Sequence, residues 1–507
     1  SATVTSAFDA PTTELNFYRD IRVADNTNQD LRLMSGYAPN NGFVTWSGQI
    51  QTGNSPGQTL RLYFEDTENL DPLVTGHQQH VVMDFTGDFS GNRNLLLDVT
   101  EGGDINQTLP VDEGGRIAAD THRSIFTTFR LGGDNSNFSG DVVVSAETST
   151  TVIDKDDIPI LRFGSDLALT AQNNVTLQAL SGLQAGGFSV TIGNLATNGG
   201  ASTSGLYSFI DYDWAQGRQS LYDLDHVVGT NSGTNGKNIS VLGGSSEIIE
   251  NASANPGTLT ITQTVDAVWD AFFRDGRQVG LIDGSNVASA PLSVVKAGEA
   301  MATLTVYNDF SGVTRVTGGN LQVGQGGSGI WGALTQGSTT VNSALVSPTR
   351  LAGSTGTGLT LVDAGATLSG TGHVRGDLEV NGLLMPGDLG GTLAGTLFVG
   401  NESGGGLLLN AGSTTSLQLQ GTPSVNPQLM NGVITFNNQP EYDLFIADIA
   451  NLLGMQAEDN ALNPAVFGGL GSHLNAGNYD HLEIGGDLAW TGGTITVYVP
   501  GDPGPTT

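Results

Sequence analysis

Cysteine is absent from the 507-residue chain, and charged residues make up only 13% of it. The absence of cysteine excludes disulfide bonds, cysteine-based zinc sites and thiol chemistry, so stacked strands must supply the stability. No apolar run reaches the roughly 18 residues that a membrane-spanning helix needs. We therefore expect no membrane insertion by the chain as given.

Basic residues are also scarce: Lys and Arg number 18 against 50 Asp and Glu, which gives a formal charge of −32. The electrostatic field of so negative a chain repels nucleic acid phosphates and anionic membrane surfaces, so neither is an expected partner. It attracts divalent cations and basic surfaces instead. An alternative interpretation is that the acidity only keeps an exported, glycine-rich protein soluble.

Glycine is abundant, with 73 residues, and it separates short β-branched segments at nearly constant spacing in residues 295–323. Each segment alternates apolar with small or polar residues and then ends at a turn former, which predicts one strand with one apolar face. A single strand cannot bury that face. Stacking successive strands does bury it, so the repetition predicts a solenoid.

A short phrase of Asp or Asn followed by Phe-Ser-Gly precedes a hydrophobic strand three times, at 88–91, 137–140 and 309–312. Asp or Asn can close a turn with its side chain, and Gly accepts backbone angles that other residues avoid. We expect the three phenylalanines, Phe89, Phe138 and Phe310, to be buried at corners. The Asn173-Asn174 pair predicts a turn or a ladder of stacked amides.

Residues 291–324, PLSVVKAGEAMATLTVYNDFSGVTRVTGGNLQVG, resemble the autotransporter-associated β-strand repeat. The positions that carry the resemblance are Lys296, Gly298, Leu304, Gly312, Val316, Gly319, Leu321 and Val323. Residues 361–400 and 479–499 are similar to the closing rungs of such proteins. The resemblance implies a secreted, right-handed parallel β-helix with an adhesive, structural or display role at the surface of a Gram-negative-type bacterium.

The predicted fold class is all-β, a right-handed parallel β-helix or solenoid with an N-terminal β cap region and a few short helical insertions. The predicted divisions are an N-terminal β region at 1–130, rungs with helical insertions at 131–290, autotransporter-type rungs at 291–430, a helical or loop insertion at 431–477, and final rungs with a Pro/Gly-rich tail at 478–507.

Three stretches carry apolar residues at spacings of three and four and are predicted to be helical: 220–228, 266–282 and 441–456. In the second, we expect one apolar face, formed by Val268, Trp269, Phe272 and Phe273. A helix makes poor material for a rung, so these stretches would lie across the solenoid. Either they shield its core, or one of them docks on a neighbouring subunit.

Two acidic clusters could supply the oxygen ligands that calcium requires. The candidate ligands are Asp154, Asp156 and Asp157 in the first cluster, and Asp25 and Asp30 in the second. Neither cluster has the spacing of an EF-hand loop. No cofactor other than calcium is expected.

A β-helix can also carry polysaccharide-degrading enzymes or tailspikes, which need paired carboxylates on one face. The residues that could suggest such a site are Asp363, His373, Arg375, Asp377 and Glu379. The segment VRGDLEV, which contains Arg375, Asp377 and Glu379, equally fits a plain solvent-facing strand. We therefore expect a non-catalytic protein and keep the enzyme as a remote alternative.

Two functions remain. The first is a self-assembling subunit of an extracellular fibre, sheath or surface layer, whose partner is another copy of itself. Its terminal strands would join head to tail, with Val4 and Phe8, or Val497 and Val499, filling pockets. The second is a monomeric, adhesin-like passenger that binds a surface or a glycan. The start at Ser1 without an initiator Met suggests export with removal of a signal peptide.

Overall fold

The structure is a computed structural model of the chain. It describes residues 2–7, 13–25, 29–36, 42–66, 79–101, 125–146, 157–178, 181–197, 208–210, 236–238, 247–279, 286–305, 308, 310–324, 335–336, 339–340, 353–387, 396–400, 405–418, 434–436, 481–484 and 487–498. Every element in these ranges is a β-strand, and the described residues contain no helix. The described residues therefore include no helix that is long and apolar enough to cross a membrane. The all-β prediction is confirmed.

The chain forms two compact units. The first comprises Ser1–Thr264 and Trp269–Val294, and the second comprises Val265–Val268 and Val295–Thr507. Two strands carry residues of both: β22 (Ala267–Trp269) and β26 (Leu292–Ala297).

Two long parallel sheets dominate the first unit. The seven-stranded sheet has the order β1 (Ala2–Ala7), β4 (Gln29–Gly36), β7 (Thr59–Asp66), β10 (Asn94–Glu101), β12 (Val142–Ala146), β14 (Val175–Leu177), β17 (Leu195–Thr197). The eight-stranded sheet has the order β2 (Thr13–Phe17), β5 (Gly42–Trp46), β8 (Gln79–Phe85), β11 (Ile125–Leu131), β13 (Asp157–Phe163), β15 (Gly182–Gln184), β20 (Ile248–Glu250), β23 (Phe272–Arg274).

Smaller sheets complete the unit. A three-stranded parallel sheet contains β3 (Ile21–Arg22), β6 (Ile50–Gln51) and β9 (Phe89–Ser90). The antiparallel pairs are β18 (Ser208–Ile210) with β19 (Gly236–Asn238), and β24 (Arg277–Val279) with β25 (Asn286–Ala288). β16 (Ser189–Ile192) and β21 (Gly257–Thr262) are parallel neighbours at one end of a larger, eight-stranded sheet. From β1 to β9 the chain visits the seven-, eight- and three-stranded sheets in turn, three times over.

In-register pairing builds the core of this unit. Leu62 of β7 pairs with Leu97 of β10, which pairs with Val144 of β12, which pairs with Leu177 of β14. All four side chains are fully buried. Successive residues of a strand point to opposite faces, so each alternating sequence contributes every second side chain to this column.

The second unit is built in the same way. Its strands form three sets of hydrogen-bonded neighbours. The first set, in spatial order, is β28 (Thr314–Val316), β32 (Thr360–Val362), β35 (Leu378–Val380), β38 (Leu407–Leu409) and β42 (Leu488–Trp490), and the third is β34 (His373–Val374), β37 (Thr396–Val399) and β41 (His481–Ile484). The second set is β27 (Met301–Leu304), β29 (Asn320–Val323), β33 (Thr367–Gly370), β36 (Leu383–Pro386), β39 (Thr414–Gln418), β43 (Thr494–Tyr498) and β40 (Ile434–Phe436). An antiparallel pair joins β30 (Thr335–Gln336) to β31 (Thr339–Thr340). Leu321, Leu368 and Leu384 form a buried column across β29, β33 and β36.

One strand of the second unit runs against the others. β40 pairs antiparallel with β43, through Ile434 with Val497 and Phe436 with Ile495. On its other side, β43 pairs parallel with β39. Both edges of β43 are therefore occupied within the chain.

The three phenylalanines of the repeated phrase are buried, as predicted. Phe89, Phe138 and Phe310 are each no more than 2% exposed. The rings of Phe89 and Phe138 meet edge to face with centroids 6.3 Å apart, and Phe85 meets Phe89 in the same way at 5.5 Å. Phe85, Phe89 and Phe138 therefore form one aromatic stack in the core of the first unit.

The asparagine ladder is also confirmed. Asn174 Nδ2 donates to Asp141 Oδ1 at 2.9 Å, and Asn194 Nδ2 donates to Asn174 Oδ1 at 2.9 Å. The backbone N–H of Thr264 donates to Asn194 Oδ1 at 2.7 Å. Asn173 is instead fully buried and donates to the carbonyls of Phe138 and Gly140.

The predicted helix over 266–282 is wrong. This stretch contains β22 and β23 and leads into β24. Trp269, Phe272 and Phe273 are buried, but Val268 is 43% exposed, so the four residues do not share one face. Three-residue strands joined by tight turns place apolar residues at spacings that imitate a helix. The stretches 220–228 and 441–456 lie outside the described residues.

We expect Phe138→Ala to lower the free energy of unfolding by about 3–4 kcal/mol, because the truncation leaves a cavity in the aromatic stack. Urea denaturation measures the loss. Tyr18→Ala is the control, since Tyr18 is 75% exposed and its truncation should change stability by less than about 0.5 kcal/mol. A loss of under about 1 kcal/mol for Phe138→Ala would contradict its role in the core.

Candidate functional site

Aspartate side chains at turns connect one turn to the next. In seven cases an Asp Oδ1 accepts a hydrogen bond of 2.7–3.0 Å from a backbone N–H further along the chain. The donor–acceptor pairs are Gln49–Asp20, Asn54–Asp25, Asp134–Asp88, Ser189–Asp166, Leu292–Asp275, Met301–Asp266 and Gly406–Asp377. Part of the acidic excess therefore has a structural use, because carboxylates accept strong bonds from amides.

The structure does not bring the predicted calcium ligands together in one cluster among the described residues. Asp25 is one of these turn aspartates, and Asp30 lies in β4, where its backbone pairs with that of Arg61. Asp157 is the first residue of β13 and pairs with Ile125, whereas Asp154 and Asp156 lie outside the described residues. The described part of the chain holds no group of three acidic or histidine side chains that could bind a metal. Calcium binding stays a prediction.

The predicted assembly residues lie at the first and last strands. Val4 is in β1, which pairs with β4 on one side and is the outer strand of its sheet. Val497 is in β43, which is paired on both sides. Phe8 and Val499 lie outside the described residues.

The residues that suggested catalysis are held by structural contacts. Asp363 pairs with Arg315 at 2.9 Å, Asp377 accepts from the Gly406 N–H, and Glu379 accepts from Asn410 at 2.8 Å. His373 is buried, and its Nε2 contacts the carbonyl of Gly400. Arg375 donates to the carbonyl of Asn308. Such contacts do not assemble an acid and a nucleophile around an open space.

A row of charged and polar side chains crosses the eight-stranded sheet of the first unit. In-register pairing aligns its members, one from each of six successive strands. The charged row consists of Asp84, Arg130, Arg162, Gln184, Glu250 and Arg274. It is the most distinctive arrangement of ionisable groups in the described part of the chain.

Both ends of the charged row are ion pairs. Arg130 Nη1 donates to the two carboxylate oxygens of Asp84 at 3.0 and 2.9 Å. Arg274 Nε donates to Glu250 at 2.8 Å, and Gln184 donates to the other oxygen of Glu250 at 2.8 Å. Burial raises the pKa of Asp84, and the charge of Arg130 opposes that rise.

Glycines make room for the long side chains of the row. A Cβ on Gly164 would lie 3.0 Å from Arg130 Nε, and a Cβ on Gly276 would lie 2.4 Å from Glu250 Oε2. Each of these glycines follows the row residue of its own strand by two positions. At the corresponding position after Glu250, Ala252 adopts a φ of 52°, a left-handed conformation that favours glycine.

The row does not resemble the active site of a glycosidase. Asp84 and Glu250 lie four strands apart, which corresponds to about 19 Å at a strand spacing of about 4.8 Å. Paired glycosidase carboxylates are roughly 5–10 Å apart. The sequence analysis missed this row, although Arg-x-Gly at 130–132, 162–164 and 274–276 was a visible signal.

Lys296, one of the positions of the repeat resemblance, is fully buried in the second unit. Its ammonium donates to the carbonyls of Gly298 and Gly318 at 2.7 Å and also to that of Ala300. Gly319, with a φ of 60°, leaves space for it, because a Cβ there would lie 2.4 Å from Nζ. Lys296 therefore joins two turns that lie about twenty residues apart in sequence.

A polar cleft of about 560 Å³ lies beside β3, β6 and β9 in the first unit, and Arg22, Asp25, Asn54 and Ser90 are among its lining residues. The fully buried Arg93 donates to the carbonyl of Ala24, another lining residue. Asp25 is the acidic residue of the lining. A single carboxylate that already accepts an N–H bond does not form a paired acid–base site.

The chain matches none of the protein-family models and none of the curated proteins with which it was compared.

We expect Lys296→Met to lower the free energy of unfolding by about 2 kcal/mol or more at pH 7, because three carbonyls lose their shared donor. Urea denaturation measures the change. Arg315→Met is the control: this arginine is 49% exposed in its pair with Asp363, and the loss should stay below about 1 kcal/mol. Equal losses in both variants would contradict a structural role for Lys296.

The pH dependence of Lys296 gives a separate test. Burial lowers the pKa of its ammonium from 10.5 to about 8, and Glu299 and Asp266 oppose the change. The unfolded chain therefore binds more protons between these values, and stability rises with pH across them. From pH 8 to 10.5 we expect wild type to gain about 3 kcal/mol over Lys296→Met. Parallel stability curves for the two proteins would contradict this.

Proposed function

We propose that the protein is a non-catalytic, secreted structural subunit that assembles with copies of itself, end to end, into an extracellular fibre, sheath or surface layer. The observation that carries this proposal is the open start of the first unit. Among the described residues, β1, β2 and β3 each have a neighbour on one side, and each is the outer strand of its sheet. Outer strands present unpaired N–H and C=O groups that can pair with another chain.

The proposal includes a right-handed parallel β-solenoid for each unit. The repeated visits of the chain to the same sheets support it, because each of the first three rounds adds one strand to each of three sheets. The buried columns and the turn-to-turn aspartate bonds support it as well, since both connect consecutive rounds. The resemblance of 291–324 to the autotransporter-associated repeat is the basis for the secreted, cell-surface location.

The last strands of the second unit favour a particular mode of joining. β40 already covers the outer edge of β43, whereas β41 and β42 are outer strands among the described residues. We therefore propose that β1, β2 or β3 of one copy pairs with β41 or β42 of the next. Such a contact is head to tail, and it can repeat without limit.

Adjacent proline substitutions in β1 test the edge contact. Neighbouring residues of a strand direct their N–H groups to opposite edges, so Val4→Pro and Thr5→Pro remove donors from opposite sides. The substitution that removes the N–H pointing away from β4 should abolish assembly without changing stability. The substitution that removes the N–H pointing toward β4 should weaken the pairing of β1 with β4. Sedimentation and electron microscopy measure assembly, and thermal unfolding measures stability.

Wild-type protein should be compared at several concentrations, with calcium and with a chelator. Loss of filaments in chelator would implicate the acidic clusters in the contact. Filaments from both proline variants would exclude β1 as the strand that makes the contact. Single particles of wild type at every concentration would overturn assembly and favour the adhesin-like passenger.

A further inference from the structure

The centre of the charged row contains an arginine whose two hydrogen-bond acceptors are both neutral. Arg162 Nη1 donates to Gln184 Oε1 at 3.2 Å, and its Nη2 donates to the carbonyl of Ala252 at 3.3 Å. Both bonds are long and both acceptors are neutral. Arg162 forms no ion pair with any described carboxylate. A desolvated cation that lacks a direct ion pair is costly, and the charges of Glu250 and Asp84 offset only part of that cost.

The neighbour of Arg162 in the row is a second arginine. Arg130 and Arg162 are paired residues of β11 and β13. Burial lowers the pKa of Arg162 and the like charge of Arg130 lowers it further, whereas the charges of Glu250 and Asp84 raise it. Asp84 balances Arg130 on its far side through Nη1. Arg130 Nε and Nη2 make no hydrogen bond to the described residues, and the side chain is 31% exposed.

The two side chains take the same course across the sheet. Arg130 Nε lies above Gly164, and Arg162 Nε lies near Gly186, where a Cβ would be 3.5 Å away. Each arginine thus extends toward the next strand over a glycine. The two arginines are therefore neighbours in the row, and their paired backbones lie about one strand spacing of 4.8 Å apart.

We propose that Arg130 and Arg162 form a binding site for a monovalent carboxylate. A carboxylate is planar and accepts hydrogen bonds from guanidinium N–H groups in a matching geometry. The charged row has three arginines against two carboxylates, and one monovalent anion neutralises the remaining charge. The net charge of −32 disfavours anions of higher charge, because the surrounding field repels them more strongly.

Thermal unfolding of the full chain in sodium acetate or sodium glucuronate tests the site, with sodium chloride and sodium sulfate at equal ionic strength for comparison. We expect both carboxylates to raise the Tm saturably above its value in chloride. Arg162→Gln and Arg130→Gln should each weaken the response by at least about tenfold in apparent affinity. Arg315→Gln, at an exposed pair in the other unit, should keep it.

Arg162→Gln has a second expected property. In chloride its Tm should equal or exceed that of wild type, because the substitution removes a desolvated charge that has no direct ion pair. An unchanged carboxylate response in Arg162→Gln and Arg130→Gln would overturn the proposal. A Tm in carboxylate equal to that in chloride, or a larger response to sulfate than to acetate, would also overturn it.

Discussion

In-register parallel pairing between consecutive rounds of the chain is the constraint on which the other features depend. It superimposes Leu62, Leu97 and Val144 into a buried column, and by the same alignment it superimposes Arg130 and Arg162. A slip by one residue would transfer every side chain of a strand to the opposite face. The apolar core and the charged row are therefore consequences of one register.

Side chains at the turns protect that register where strands are short. β14, β15 and β20 have only three residues each, and three residues provide few ladder bonds. The turn aspartates, the asparagine ladder and the buried Lys296 each join groups from successive rounds. Many of these bonds engage charged groups, which form stronger hydrogen bonds than neutral ones. A chain without disulfides can thus fix its turns through polar side chains.

Sequence patterns predicted the all-β class, the buried Phe138 and the amide ladder at Asn174, because each depends on residues close together in sequence. They failed for 266–282, where strands of three residues between tight turns imitate helical spacing. They also missed the charged row. Its neighbours are separated by irregular intervals, such as 46 residues between Asp84 and Arg130 and 66 between Gln184 and Glu250, so no period exposes them.

The antiparallel strand β40 has a consequence for the order of folding. β40 precedes β43 in the chain, and β43 pairs with β39 on one side and with β40 on the other. During synthesis from the N-terminus, residues 434–436 therefore emerge before the strand with which they pair. They cannot pair with β43 until that strand has been synthesised, and their pairing is what closes this edge of the sheet. Closure of that edge is a late event, after which no further parallel strand can be added there.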